Sequence, residues 1–181
     1  MSNTKNKIIN ENVITPDHYR KIILSNIKHD LTNPINAILG YSELIMDTIL
    51  DEDNNALNKD TQAIYDSGIA ILSHINEIFS IDNDRNDDHI GNIIHNSELQ
   101  FKLRTPLSTI IGLTEMSSRE LEFDVRDLSD KNVQELSESI EKIAHAGKHL
   151  LKLLNDLKMY SEYTIDELMK KYKPDLYSKE A

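Results

Sequence analysis

Between Lys28 and Leu44 the chain reads KHDLTNPINAILGYSEL, and between Phe101 and Met116 it reads FKLRTPLSTIIGLTEM. Shifting the first stretch by 72 positions lays Pro34 on Pro106 and Gly40 on Gly112. The shift also carries Leu31, Ile35, Ile38, Ser42, Ile45 and Ile49 onto Leu103, Leu107, Ile110, Thr114, Ser117 and Leu121. Both sets alternate steps of four and three, the spacing of a single buried stripe on a helix packed against other helices. The copies therefore share a buried face. They differ elsewhere: Phe101 stands where the first copy has His29, and Lys102 where it has Asp30.

Each stretch is followed by a partner helix. Thr61, Ile64, Gly68, Ile71, Ile75 and Ile78 keep the same steps, with Leu72 and Phe79 widening the stripe, so a second helix is expected from about Lys59 to Ile81. Leu136, Ile140, Ile143, Gly147, Leu150, Leu154 and Leu157 predict a fourth from Val133 to about Tyr163. Its offset from the second is 79, which pairs Gly147 with Gly68 and Asn155 with Asn76. Two helices on a short connection form an antiparallel hairpin. A hairpin with one apolar stripe cannot bury it alone, whereas two hairpins in one chain can. The expected fold is all-α, a four-helix bundle of two tandem antiparallel hairpins, an intramolecular pseudo-dimer.

The first hairpin is expected over residues 15–81, after a frayed 1–14. Thr15-Pro16-Asp17 supplies an N-cap, a proline at the first helical position and an acid at the positive end of the dipole. Pro34 removes a backbone hydrogen bond and predicts a bend or loosened turn after His29. The segment DEDNNALN reads as a turn, and residues 82–90, rich in Asp and Asn, as a linker. The second hairpin is expected over 91–163, its third helix running from about Gly91 to Leu121. In the tail 164–181, Thr164 to Glu167 has the form of a capping box and Pro174 ends any helix it starts.

A net charge of −11 over 181 residues disfavours a nucleic-acid backbone or an anionic membrane as partner. The absence of cysteine removes disulfides, thiolate metal sites and thiol catalysis. No apolar run reaches spanning length, and residues 1–12 are polar, so a soluble cytoplasmic protein is expected. His145 and His149, one turn apart, are the only histidines at metal-ligand spacing, and no metal site is expected from a pair alone.

His29 lies about 200° around its helix from Leu31, the start of the stripe. It should face water above Asn33, Asn36, Ala37, Gly40, Tyr41 and Leu44, which share its face at helical spacing. An exposed imidazole is a nucleophile near neutral pH, and an adjacent carboxylate such as Asp30 can hold its other nitrogen or shuttle a proton. Asn33 could place a water against a group carried on His29. Most exposed His-Asp pairs do none of this, but the spacing and the repeat argue for a role here.

HDLTNPINAILGYSEL resembles the phosphoacceptor motif of two-component sensor histidine kinases, usually His-Glu-Leu-Arg-Thr-Pro-Leu, an Ile-rich stretch, Gly and Ser/Thr-Glu-Leu. DSGIAILSHINEIFSI and HAGKHLLKLLNDLKMYS are similar to that family's second helix. The resemblance implies a dimerisation and histidine-phosphotransfer hairpin, with His29 phosphorylated, Asp30 assisting transfer and Asn33 matching the residue that hydrolyses a partner's aspartyl phosphate. It implies response-regulator receiver domains as partners, and a histidine kinase as another. The receiver is expected to supply Mg²⁺, so no cofactor is expected on this chain. Asn36, Ala37, Gly40, Tyr41 and Leu44 form the expected docking strip.

The second copy departs from the family. Phe101 cannot accept phosphate and Lys102 cannot serve as the acid, although Thr105 and Pro106 keep the pattern. An outward Phe101 forgoes about 1.5 to 3 kcal/mol of burial unless the tail from Tyr163 to Tyr177 or a partner covers it. The residues after Ser161 contain no glycine-rich nucleotide-binding box. The expected activity is therefore that of a monomeric phosphotransferase without its own ATP-dependent autokinase activity, carrying a phosphoryl group between receivers or removing it from one. The competing reading is a non-catalytic module that sequesters response regulators or histidine kinases.

Overall fold

The computed structural model describes residues 16–49, 55–80, 97–123 and 129–160. They form four helices: α1 Pro16–Ile49, α2 Asn55–Ser80, α3 Ser97–Phe123 and α4 Asp130–Tyr160. The chain is a four-helix bundle of two hairpins. Helices α1 and α3 each pack against both α2 and α4, so the four form a closed ring and the α1–α2 side lies opposite the α3–α4 side.

The repeated stripes are the core. All six residues of the α1 stripe and all six of the α3 stripe are buried. The α1 stripe continues past Leu31 through Ile27 and Leu24, again by steps of four and three. In α2, Thr61, Ile64, Gly68, Ile71 and Ile75 are buried, while Ile78, Leu72 and Phe79 flank the core half-buried. Every residue of the α4 stripe is buried. Ser42 and Thr114, at matching positions inside the core, donate to the carbonyls of Ile38 and Ile110 one turn back. This spares each hydroxyl the cost of burial without a partner.

Within each hairpin the register is antiparallel. Gly68 meets Ile38 and Leu39, and the Tyr65 hydroxyl donates to Glu43 at 3.1 Å. Gly147 meets Ile110 and Ile111, and Arg104 donates to the Asn155 side-chain oxygen at 2.6 Å. The two seam glycines allow close approach: a Cβ on Gly68 would sit 2.8 Å from Leu39 Cδ2, and one on Gly147 3.4 Å from Ile111 Cγ1.

Two element starts differ from expectation. Helix α2 begins at Asn55, four residues before Lys59, because Leu57 is buried and extends the stripe by one step of four. The latter part of the presumed turn DEDNNALN is thus helix. Helix α4 begins at Asp130, three residues before Val133. Ser129 is its cap: its hydroxyl accepts the Asn132 backbone N–H at 3.2 Å, and its carbonyl accepts that of Val133 at 3.0 Å. A serine followed by an acidic residue was the signal for that start.

Helices α1 and α3 run unbroken through Pro34 and Pro106. The expected frayed N-terminus, the 82–90 linker, the start of the third helix at Gly91 and the 164–181 tail lie outside the described residues.

Candidate functional site

The outward position of His29 follows from its place on α1. The stripe through Leu31 and Ile35 turns one side of the helix inward, and the His29 side chain is left 71% exposed. Two heptads along the same face is Glu43, the residue bonded to Tyr65 of α2. His29 therefore overlooks the α1–α2 groove.

Two polar side chains approach the imidazole. Asp30 Oδ1 is 3.7 Å from Nδ1, and Asn33 Nδ2 lies 3.2 Å from Nδ1 and 3.5 Å from Nε2. The tautomer and the amide orientation are coupled. With hydrogen on Nδ1, the Asn33 amide turns its oxygen toward the ring to accept it, the Asp30 carboxylate at 3.7 Å adds charge but no hydrogen bond, and Nε2 keeps a lone pair for attack. With hydrogen on Nε2, Nδ1 accepts from the Asn33 amide. His29 is exposed and Asp30 half-buried at the surface, so this pair adds little to stability. Its consequence is orientation and tautomer preference.

Below His29, Asn36 and Gly40 are exposed, and Leu44 is 48% exposed. Ala37 and Tyr41 are half-buried and pack against the core, so they offer only part of their surface to a partner. An added Cβ on Gly40 meets nothing within 4 Å. Ile69, 44% exposed, stands one turn after Tyr65 on the groove side of α2. Because Ile69 lies on α2, no spacing along α1 relates it to His29 in the sequence.

The matching face of α3 has a different chemistry. Phe101 is exposed, and the Thr105 hydroxyl turns back to the Phe101 carbonyl at 3.4 Å rather than outward as Asn33 does. Lys102 is half-buried. The structure thus brings His29, Asp30 and Asn33 together and keeps Phe101, Lys102 and Thr105 in the same arrangement without a nucleophile.

The fold is a helical bundle that repeats one hairpin and presents a histidine beside an acid on its outer face. The family model described as His Kinase A (phospho-acceptor) domain matches residues 19–84 and again residues 102–164, together more than half of the chain. The chain belongs to that family, in tandem form, and is thereby linked to two-component signalling. Neither a curated protein nor a solved structure matches it. Among the described residues no helix is long and apolar enough to cross a membrane.

Proposed function

We propose that this protein is a histidine phosphotransferase that takes a phosphoryl group from a receiver aspartate onto His29 and passes it to another receiver. The observation that carries the reading is the exposed imidazole with Asp30 beside it and Asn33 nearest Nδ1. Neutral His29 attacks phosphorus through the Nε2 lone pair. The P–N bond forms as the P–O bond to the aspartate breaks, and the carboxylate leaves with the electron pair. The hydrogen stays on Nδ1, where Asp30 offsets the positive charge of the phosphorylated ring. Return transfer reverses these steps. The receiver brings Mg²⁺, which neutralises charge on the moving group.

The strip from Asn33 to Leu44, together with Ile69, is the docking surface in this reading. Small or absent side chains at Ala37 and Gly40 let the receiver approach closely, and Leu44 and Ile69 offer apolar contacts. Hydrolysis of a receiver's aspartyl phosphate by a water held on Asn33 uses the same site.

Incubating the chain with phosphorylated receivers from the same organism tests the proposal. Label should move to the wild type and not to His29→Ala; transfer that survives the substitution refutes it. The non-catalytic reading gains support from the exposed Phe101 alone. It predicts that His29→Ala retains full effect on signalling in cells, where the transfer reading predicts loss. With both hairpins in one chain, light scattering should show a monomer.

A further inference from the structure

The α3–α4 groove lies on the opposite side of the bundle from the α1–α2 groove, repeats its backbone positions and carries more basic side chains. Gly112 answers Gly40, and neither has any atom within 4 Å of an added Cβ. Met116, 52% exposed, answers Leu44, and exposed Thr105, Ser108 and Thr109 keep the intervening surface small. A glycine inside a solvent-facing helix weakens it, and no internal contact requires either one. Open glycines at matching places mark both faces for close approach from outside.

The charges then separate them. Asp30 corresponds to Lys102, Thr32 to Arg104, Ile69 to Lys148 and Ser73 to Lys152. Between Ala63 and Asn76 the only Asp, Glu, Lys or Arg is Asp66; between Lys142 and Asn155 there are three lysines and no acid. Arg104 is held at the groove by Asn155, and Lys148 and Lys152 share the Asn155 side of α4, seven and three residues before it. Phe101, one turn before Arg104 on the same face, is 74% exposed. Glu115, which answers Glu43, is exposed on the same groove, but Lys102, Arg104, Lys148 and Lys152 outnumber it, so in a chain of net charge −11 this is a local cationic surface with an aromatic ring at its end.

We infer that the α3–α4 groove is a second docking site, which holds a receiver domain by its acidic phosphorylation face without exchanging phosphoryl groups. The inference rests on the receiver reading of the first groove. A receiver's acid-lined pocket complements Lys102, Arg104, Lys148 and Lys152, and a phosphorylated pocket, being more anionic, complements them better. Phe101, exposed at the end of this surface, offers an apolar contact and presents no lone pair to phosphorus. A protein surface fits better than a nucleic acid: the basic run on α4, from Lys142 to Lys152, spans only about 15 Å, and Glu135, Glu138 and Glu141 precede it. One chain would then hold one receiver in exchange with His29 and another out of it.

Gly40→Arg blocks the first groove in the full chain, and the open space around Gly40 lets the fold accept it. Isothermal titration of this variant with receiver domains from the same organism, unmodified and beryllofluoride-treated, reads the second groove alone. The expected result is one-to-one binding of at least one receiver, tighter after beryllofluoride treatment and weaker with added salt. Phe101→Ala with Lys148→Glu should weaken it about tenfold or more, while transfer to His29 in the otherwise native chain is unchanged. The inference is overturned if no receiver binds Gly40→Arg, if the double substitution leaves binding intact, or if single-stranded RNA displaces the receiver. Transfer through His29 with no second binding event overturns it alone. Second-groove binding in a chain that never accepts phosphate instead refutes the transfer reading and sustains the second site.

Discussion

The two hairpins bury the same stripe and present opposite surfaces. In the first, an imidazole, a carboxylate and an amide meet above a groove lined by Leu44 and Ile69. In the second, the same backbone positions carry Phe101, Lys102 and Thr105, with lysines lining the facing helix. Core positions answer to a neighbour inside the chain, so their apolar character and volume are constrained together. Surface positions answer only to whatever docks there, and once both hairpins sat in one chain the two faces were free to diverge. Duplication within a polypeptide thus permits asymmetry that a bundle of two identical chains cannot reach.

The largest effect expected from breaking the contrast lies at the nucleophile. His29→Gln should abolish phosphoryl acceptance outright. On that background, Phe101→His with Lys102→Asp and Thr105→Asn rebuilds the first site's side chains on α3, and labelled phosphate should return in part. No return would show that the groove charges, rather than the missing imidazole, separate the hairpins.

Next comes the one position of the α1 and α3 stripes where polarity differs, Ile45 against Ser117. Both are buried, and the Ser117 hydroxyl has no hydrogen-bond partner. Urea denaturation should show Ile45→Ser losing roughly 3 kcal/mol and Ser117→Ala gaining about 1 kcal/mol. A loss on Ser117→Ala would mean that the hydroxyl is solvated in the core.

The seam glycines give a smaller difference. Gly147→Ala should stabilise by about 1 kcal/mol, since its Cβ meets Ile111 Cγ1 at a tolerable 3.4 Å. At Gly68 the contact with Leu39 Cδ2 is 2.8 Å, so Leu39 must leave its rotamer. That costs about as much as the helix gains, and Gly68→Ala should be near neutral by the same measurement.

The smallest effect concerns the Tyr65–Glu43 bond, for which the second hairpin has Ala144 and Glu115 at the matching positions. Glu43 accepts the phenolic hydrogen and its charge opposes ionisation, which raises Tyr65 above its ordinary pKa of 10.0. The raised value means that the fold favours the neutral phenol. The bond's contribution is therefore complete below pH 10 and is lost as pH rises through the raised pKa. Ultraviolet titration of Glu43→Gln should move Tyr65 back toward its ordinary value.

The helices, their stripes and the outward direction of His29 were legible in the sequence because each depends on spacing along one helix. Even the approach of Asn33 to His29 is a one-turn relation. The early start of α2 was not legible: Asn54 and Asn55 look like turn residues, and only the buried site waiting for Leu57 makes helix the better choice. Ser129 as the α4 cap is legible in the sequence, because a serine followed by an acid marks a helix start ahead of the first apolar residue of the period. Ile69 and the lysines of α4 carry no local signal that they face a groove.

The sequence by itself determined two repeated hairpins, one histidine beside an acid and one copy with Phe101 and Lys102 in their places, since periodicity and residue identity are properties of the chain. Only the tertiary structure decided that α1 and α3 each lie between α2 and α4, and so that the two outer grooves face opposite ways. It alone separated the crowded Gly68 from the open Gly40, and joined Arg104 to Asn155 and Tyr65 to Glu43. Those facts depend on which helices come within side-chain reach. Packing between helices settles that, and a stripe along one helix does not name its neighbour.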